Sequence, residues 1–263
     1  MTTCGVVGLG EAGALFARGF RDAGFEVTGY DPFTRLDEDG IRQVDQVADA
    51  VAGADFVVSL VGATAAAAVA EEIFQVSAPG VIYADLNTGS PKLKADLATR
   101  ASEAGARFVD VAVLAPVPRS GAKTPLMVSG EGASEFAELL APVGTPVETV
   151  AGGAGAAAAR KLIRSVFMKG LAAVVIESVG AAQLGDCEEW LRAQIANELA
   201  GDTALLIDRL ITGSKQHAAR RIHETEDARA YLEEIGQPHW ATDAAHSWLT
   251  KLHEDAANHT TNE

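Results

Sequence analysis

Short apolar runs alternate with amphipathic stretches over the first 150 residues of the chain. The apolar runs have the length of buried strands, and they predict strands at residues 4–8, 26–30, 55–61, 81–85, 108–113, 126–129 and 147–150. The amphipathic stretches predict helices at residues 11–23, 44–52, 65–74, 91–104 and 134–140. Strands that alternate with helices form βαβ units, so the pattern predicts an α/β fold with a mostly parallel sheet.

The pattern changes at residues 151–155, Ala-Gly-Gly-Ala-Gly, which we interpret as a flexible joint between two domains. Beyond this joint the chain predicts only helices, at residues 156–184, 187–210, 214–235 and 240–256. We therefore predict an α/β domain at 1–150 and an all-helical domain at 151–263. Residues 166–182 are apolar on nearly all sides, which is typical of a helix buried in a bundle or in a subunit interface. One small domain offers little cover for such a helix, so we expect a homodimer.

Composition excludes several classes of partner. The 263 residues have a net charge of −15, which argues against nucleic acid because proteins that bind it usually present a basic face. The two cysteines, Cys4 and Cys187, define no disulfide framework and have no metal-ligand spacing, so we expect no metal. The longest stretch without a charge, residues 56–70, is too short to span a bilayer. The N-terminus also lacks the features of a signal peptide, so we expect a cytoplasmic protein without a membrane partner.

Three glycines with the spacing G-x-G-x-x-G follow the first predicted strand and open the first predicted helix. In a dinucleotide-binding turn, Gly8 would allow the tight turn, Gly10 would let a pyrophosphate approach the backbone, and Gly13 would let the helix pack on the strand. The amides and dipole of the helix N-terminus would attract the phosphates. This context predicts a doubly wound, Rossmann-type domain whose cofactor contacts include Gly8, Leu9, Gly10, Glu11, Ala12 and Gly13.

An acidic residue, Asp31, ends the second predicted strand. Its carboxylate would accept hydrogen bonds from the adenosine ribose and repel a 2′-phosphate, so we favour NAD(H) as the cofactor. Arg35 would bind a 2′-phosphate, so NADP(H) stays an alternative, and Asp31 is alternatively an ordinary turn acid before Pro32. Because ligands bind beyond the carboxyl ends of parallel strands, we predict further cofactor contacts at Val61, Gly62, Asn87 and Thr88.

Four stretches, in this order, resemble the superfamily of 3-hydroxyisobutyrate and 6-phosphogluconate dehydrogenases. They are VVGLGEAG at residues 6–13, ADLNTGSP at 84–91, VDVAVLAPVP at 109–118 and GAAAARKLIRSVFMKG at 155–170. The last stretch and HAARRIHE at 217–224 are also similar to a branch of that superfamily with its own helical C-terminal domain. The resemblance implies an NAD(P)-dependent oxidoreductase that transfers a hydride between a nicotinamide and a small 3-hydroxy acid, a semialdehyde or a related carbonyl.

The proton for this reaction requires a donor, and the resemblance places it at Lys161. In the oxidative direction the same amine would act as the base. Burial next to Leu162 and Ile163 would lower the pKa of Lys161 towards the useful range. Ser165 lies one helical turn further and would bind the substrate or hold the lysine. The alternative is a surface lysine whose stem covers apolar neighbours.

The chain departs from the family pattern at several positions. Asn87 and Thr88 replace a serine-threonine pair, and Ser165 replaces an asparagine. The family's Ser-Gly-Gly is replaced by residues 118–121, which makes Pro118, Arg119 and Ser120 candidates for substrate contact, with ligand-free turn residues as the alternative. These losses keep a second reaction open, the reduction of a C=N bond by an imine reductase. A dinucleotide-binding regulator without turnover is the third hypothesis.

Cationic residues of the helical domain are candidates for binding a substrate carboxylate. Lys169 lies at i+8 from Lys161, on roughly the same helical face. His217 and Arg220 follow a spacing of one helix face, and arginine offers a planar fork to a carboxylate. Structural ion pairs, such as Arg220 with Glu224, are the alternative.

Overall fold

A computed structural model describes residues 1–36 and 38–260 of the chain. Its contacts divide the chain into two units, Met1–Arg164 and Ser165–Glu263. The division lies inside one long helix, later in the chain than the glycine-rich joint where we expect the domain boundary. The first unit contains the sheet, and the second unit is helical.

Eight strands form one sheet in the first unit, with the spatial order β3-β2-β1-β4-β5-β6-β7-β8. Their bounds are Thr3–Val7 (β1), Glu26–Tyr30 (β2), Ile41–Val44 (β3), Phe56–Ser59 (β4), Ile82–Asp85 (β5), Arg107–Val113 (β6), Leu126–Ser129 (β7) and Val147–Thr149 (β8). β6 and β7 pair antiparallel, and the other neighbouring strands pair parallel. The predicted mostly parallel, doubly wound sheet is confirmed.

The sequence pattern misses one strand, β3, at the edge of the sheet. It has the sequence IRQV, and only Ile41 and Val44 are buried. Arg42 and Gln43 interrupt the apolar run, because an edge strand needs less cover than a central one. The other strands lie within two residues of their predicted ends.

Helices cover both faces of the sheet and define two apolar cores. They are Glu11–Asp22 (α1), Val47–Val51 (α2), Ala66–Val76 (α3), Pro91–Glu103 (α4) and Ala133–Leu139 (α5). Phe20 of α1 belongs to one core, and Leu97 of α4 belongs to the other. Along β4, Phe56 faces the first core and Val57 faces the second, as the alternation of side chains along a strand requires.

The helical unit departs from the predicted helix bounds. Its helices are Ala156–Leu184 (α6, which starts in the first unit), Glu188–Leu199 (α7), Thr203–Gln216 (α8), Ala218–Glu234 (α9) and Trp240–Thr260 (α10). The predicted helix at 187–210 is wrong because a new helix starts after Asp202, whose carboxylate accepts hydrogen bonds from the amides of Ala204 and Leu205 at 2.9 and 3.2 Å. The predicted helix at 214–235 is interrupted at His217, which caps both α8 and α9.

The helical unit buries few apolar side chains of its own. Among its described residues, the buried apolar ones are Ala182, Ala218, Leu232 and Leu249. The described side chains of α7 and α8 include no buried residue, and on α6 Val166 is 75% exposed and Ile176 is 72% exposed. None of the described helices is long and apolar enough to cross a membrane. Large exposed apolar patches are typical of interaction surfaces.

Candidate active site

The strand order changes direction between β1 and β4, and the loops after these strands meet there. Gly8 follows β1 with φ +94°, and a Cβ on it would lie 2.5 Å from the carbonyl oxygen of Leu60, which follows β4. The Leu60 amide in turn donates to the Val7 carbonyl at 2.8 Å. In open α/β sheets, ligands bind in the crevice at such a switch point.

The remaining two glycines of the loop differ in their surroundings. A Cβ on Gly13 would lie 1.8 Å from the Gly8 carbonyl oxygen, so Gly13 is required for α1 to approach the loop. A Cβ on Gly10 would meet no described atom within 4 Å. Gly10 is also the N-cap residue of α1, and it brings no side chain to the first amides of that helix. The loop therefore offers exposed backbone at the point where a pyrophosphate would lie.

The Asp31 carboxylate connects the end of β2 to this loop. Its Oδ2 accepts a hydrogen bond from the Leu9 amide at 2.7 Å. Its Oδ1 accepts from the amides of Phe33 and Thr34 at 2.8 and 3.0 Å, so Asp31 is also the turn acid of our alternative interpretation. A carboxylate has about four lone-pair positions, so about one remains for a ribose hydroxyl.

Arg35 points to the neighbouring loop. It forms an ion pair with Asp45, and both side chains are largely exposed. Exposed ion pairs are weak, so this contact leaves Arg35 able to turn towards a 2′-phosphate.

The side chain of Asn87 joins the carboxyl ends of β4 and β5. Its Oδ1 accepts a hydrogen bond from the Gly62 amide at 2.9 Å. Its Nδ2 donates to Ser59 Oγ at 3.0 Å and to Asp85 Oδ1 at 2.6 Å. Asn87 is buried, and its side chain connects the segments that follow β4 and β5, whereas Thr88 is exposed. Val61 and Gly62 lie next to this network, after β4.

A buried group of charges, which the sequence analysis missed, lies behind Asn87. Lys94 of α4 is 1% exposed, and its Nζ donates to the Asp85 carbonyl oxygen at 2.8 Å. The same Nζ lies 3.1 Å from Asp85 Oδ2 and 3.4 Å from Asp110 Oδ1. Two signals were available: Asp85 ends one apolar strand and Asp110 interrupts another, and Lys94 shares a helix face with Leu97.

Lys161 lies on α6, and α6 is tied to this group of charges. Asp110 Oδ2 accepts hydrogen bonds from the amides of Gly155 and Ala158 at 3.0 and 2.9 Å, at the start of α6. Burial lowers the pKa of the half-buried Lys161 ammonium, the Lys94 ammonium lowers it further, and the Asp110 carboxylate opposes both effects.

The apolar neighbours that we expect to bury Lys161 are themselves exposed. Leu162 and Ile163 are both exposed, at 45% and 71%. The charged groups that act on Lys161 are Lys94 and Asp110. A hydrophobic pattern along one helix does not reveal this, because both charged neighbours come from other elements.

The candidate substrate residues of the helical unit have separate positions. Ser165 follows Lys161 by one turn of α6 and is half-buried, and Lys169 is exposed. Arg220 Nη1 lies 2.5 Å from Glu224 Oε1, as our alternative of a structural ion pair predicts. His217 has no place in the helix face with Arg220, because it lies between α8 and α9. Substrate binding by these residues stays a prediction.

The segment Pro118, Arg119 and Ser120 is exposed and forms a 3₁₀ turn at Val117–Arg119. A second turn, Gly121–Lys123, anchors the segment on α1, where a Cβ on Gly19 would lie 2.2 Å from the Ala122 Cβ. The segment therefore has a fixed base and an exposed tip, and its contact with a substrate stays a prediction.

Two family models match the chain. The NAD binding domain of 6-phosphogluconate dehydrogenase matches residues 3–152. A domain of unknown function (DUF1932) matches residues 181–252. The first match covers more than half of the chain, and it spans the glycine loop, Asp31, Asn87 and the strands that hold Asp85 and Asp110.

Solved structures with the same fold include proteins of two kinds. The conserved protein MTH1747, of unknown function and with structural similarity to 3-hydroxyacid dehydrogenases, is 26% identical with a TM-score of 0.65, over 96% of this chain and 97% of its own. The imine reductase BcSIRED from Bacillus cereus BAG3X2 is 17% identical with a TM-score of 0.82, over 97% and 94%.

A second imine reductase, from Myxococcus stipitatus, was solved with NADP⁺, and its V8 variant was solved with NAD⁺. Each structure is 19% identical to this chain and covers 97% of it, with TM-scores of 0.79 and 0.81 over 95% and 94% of its own length. At these identities the reductases show the fold alone. The family model and the ordered motifs together confirm the resemblance: the chain belongs to the family defined by the NAD binding domain of 6-phosphogluconate dehydrogenase.

Proposed function

We propose that this chain is an NAD(P)-dependent oxidoreductase that transfers a hydride between a nicotinamide and a small 3-hydroxy acid, its semialdehyde or a related carbonyl. The observation that supports it most is a series of contacts from the cofactor crevice to Lys94, the ammonium that helps to lower the pKa of Lys161. Asn87, at the ends of β4 and β5, binds Asp85, and Asp85 contacts Lys94. Lys94 in turn acts electrostatically on Lys161.

Lys161 is the proton donor of the proposed reduction. The nicotinamide supplies the hydride to the carbonyl carbon. Lys161 Nζ gives a proton to the carbonyl oxygen as negative charge develops there, and in oxidation the neutral amine removes the hydroxyl proton. A lowered pKa serves both directions, because the amine exchanges its proton more readily near neutral pH. Ser165, one turn further on α6, hydrogen-bonds the substrate or the lysine amine.

The substrate that we propose has a carboxylate. The similarity of MTH1747 to 3-hydroxyacid dehydrogenases supports this class. Arg119 and Ser120 are exposed at the tip of an anchored turn, where cationic and hydroxyl groups would bind a carboxylate, and Pro118 shapes that turn. We assign the same task to Lys169, His217 and Arg220, although Arg220 would first have to leave Glu224.

The cofactor that we favour is NAD(H). The Asp31 carboxylate beside the glycine loop would repel a 2′-phosphate, and Arg35 is the residue that would bind one. The Myxococcus stipitatus reductase was solved with NADP⁺ and its V8 variant with NAD⁺, so one scaffold accommodates either dinucleotide. NADP(H) is therefore the alternative.

Reduction of a C=N bond is the second candidate. The fold likeness to imine reductases favours it, with a TM-score of 0.82 over 97% of this chain. The same proton donor would serve an imine nitrogen. The two candidates differ in their product, which is an alcohol in the first and an amine in the second.

We also propose that the protein is a homodimer. The described residues of α7 and α8 include no buried side chain, and apolar residues of α6 are exposed on several sides. Surfaces of this kind resemble a domain core cut in half, as in obligate homodimers. The partner that we propose is a second copy of the chain. Most soluble oligomers consist of identical chains, and two-fold symmetric dimers are the commonest of them. Light scattering should give the mass of two chains; a stable monomer at all concentrations would contradict this proposal.

The first experiment on function is a fluorescence titration of the purified protein with NADH and with NADPH. Saturable binding with a preference for NADH supports the cofactor assignment, and binding of neither would contradict it. A panel of 3-hydroxy acids, semialdehydes and cyclic imines is then tested with the preferred cofactor, and the product is identified by mass spectrometry. Tight binding without turnover on any substrate would favour a dinucleotide-binding regulator.

A further inference from the structure

Lys94 is buried on the inner face of α4 and has no access to a substrate. Its side chain is 1% exposed, as are the side chains around it. The Lys94 ammonium faces three oxygens: the Asp85 carbonyl at 2.8 Å, Asp85 Oδ2 at 3.1 Å and Asp110 Oδ1 at 3.4 Å. No hydrogen bond from the described residues reaches the two carboxylate oxygens, so the ammonium is their counter-charge.

The two aspartates connect Lys94 to both parts of the candidate site. Asp85 Oδ1 accepts hydrogen bonds from the backbone and side-chain amides of Asn87 at 2.9 and 2.6 Å, on the side of the cofactor crevice. Asp110 Oδ2 accepts from the amides of Gly155 and Ala158, on the side of α6. Each aspartate thus gives one oxygen to a backbone segment and the other to Lys94.

We propose that Lys94 is a positioning residue of the Lys161 site, which joins the loop after β5 to the first turn of α6 through Asp85 and Asp110. This inference rests on the proposed function only in the use that the enzyme makes of Lys161. The network itself consists of contacts within the first unit. Lys94 acts through Lys161 and never touches the reacting atoms.

The network also contributes to the electrostatic environment that determines the pKa of Lys161. Lys94 on α4 and Asp110 on β6 act on Lys161 in opposite directions, and Asp85 on β5 faces Lys94. Loss of the Lys94 charge should raise the pKa of Lys161, because a like charge disappears while Asp110 remains. Loss of the Asp110 charge should lower it, because an opposite charge disappears while Lys94 remains. A merely structural role predicts no such opposite pair of shifts.

The test measures the titration of Lys161 without any substrate. Trace acetylation with acetic anhydride across a pH series, followed by mass spectrometry of the Lys161 peptide, gives the pKa of this one amine. In Lys94→Met we expect an upward shift of the pKa of Lys161, and in Asp110→Asn a downward shift. Lys92→Met is the matched control, because Lys92 lies two residues earlier on α4, is largely exposed and pairs with Asp96.

Folding is followed in the same samples by thermal unfolding and by NADH titration. Lys94→Arg keeps the charge, so it should leave the pKa of Lys161 near the wild-type value. If Lys94→Met does not fold, Lys94→Gln removes the same charge but keeps a hydrogen-bond donor for the aspartates: a raised pKa of Lys161 supports the proposal and an unchanged one overturns it.

An unchanged Lys161 titration in folded Lys94→Met and Asp110→Asn overturns the proposal. So do shifts in the same direction in both variants. Failure of the proposed function has a different signature: Lys161 responds to both variants as expected, but no carbonyl or imine substrate is turned over by the wild-type protein.

Discussion

The two units of the chain differ in how far each covers its own apolar surface. In the first unit, helices lie on both faces of an eight-stranded sheet, and residues such as Phe20 and Leu97 are fully buried. In the second unit, α7 and α8 bury none of their described side chains, and the buried apolar residues among those described are two alanines and two leucines. The first unit covers its apolar side chains within one chain, whereas the second leaves many of its described ones exposed, which supports the proposed homodimer.

Because of this difference, the first unit can hold a buried group of charges from the residues of a single chain. A buried ammonium between two carboxylates, such as Lys94, requires a rigid surrounding that excludes water. The first unit provides that surrounding from its own residues, so the contacts of Lys94 are complete in a single copy of the chain. The surroundings of the substrate residues that we propose in the second unit would depend on the proposed homodimer.

The largest effect should come from placing a charge on the uncovered helical unit. Phe167→Glu puts a carboxylate on α6, at a side chain that is 62% exposed in the single chain. If a second copy covers this face, the buried charge should abolish association and lower the melting temperature. Light scattering and thermal unfolding are the measurements.

The matched control is the same substitution in the first unit. Phe33→Glu changes a residue that is 96% exposed and lies outside both cores. Association and melting temperature should then stay near the wild-type values. If both variants associate and melt alike, the proposed difference between the two units is wrong.

A second prediction separates two glycines of the dinucleotide loop. Gly13→Ala puts a Cβ 1.8 Å from the Gly8 carbonyl oxygen, so we expect a destabilisation of about 2 kcal/mol or more and loss of NADH binding. Gly10→Ala meets no described atom within 4 Å, so stability should change by less than about 1 kcal/mol while NADH affinity falls. Urea unfolding and fluorescence titration measure both quantities. Equal stability of the two variants would refute the packing role of Gly13.

A third prediction concerns the pH dependence of the reaction. Reduction needs protonated Lys161, so its rate should fall as pH rises through the pKa of this amine, and oxidation should show the opposite trend. Because burial and Lys94 lower that pKa, the fall should occur below 10.5, the ordinary value for lysine. Single-turnover hydride transfer measures the chemical step. A flat profile up to 10.5 would contradict the assignment of Lys161.

The smallest effect should come from the exposed pair Arg35 and Asp45. Asp45→Ala releases Arg35, so NADPH affinity should rise by up to about fivefold while NADH affinity stays the same. Asp49→Ala removes the same charge from the nearby α2 and serves as the control. Equal changes in both variants would show a general effect of net charge rather than a role of Arg35.

The sequence predicts much of the first unit because its local signals agree with its tertiary structure. The apolar runs form the strands of the sheet, the spaced glycines form the loop after β1, and Asp31 follows β2. The strand at Ile41–Val44 was missed because an edge strand needs only two buried side chains. The polar residues in the middle of this strand are typical of a loop in a sequence pattern.

The Lys94 network was missed for a different reason. Lys94, Asp85 and Asp110 come from α4, β5 and β6, and their proximity depends on strand order and register. The helical unit was predicted less well because its pattern lacks a single inward face. The breaks at Asp202 and His217 are local capping events within an otherwise continuous helical pattern.

The catalytic role of Lys161 is tested by comparing Lys161→Met with Lys92→Met. Once a substrate is identified, we expect Lys161→Met to reduce kcat by about a hundredfold or more, because it removes the proton donor. Its affinity for NADH should stay near that of the wild type, and Lys92→Met should match the wild type in both quantities. A Lys161→Met variant that retains wild-type turnover would contradict the account.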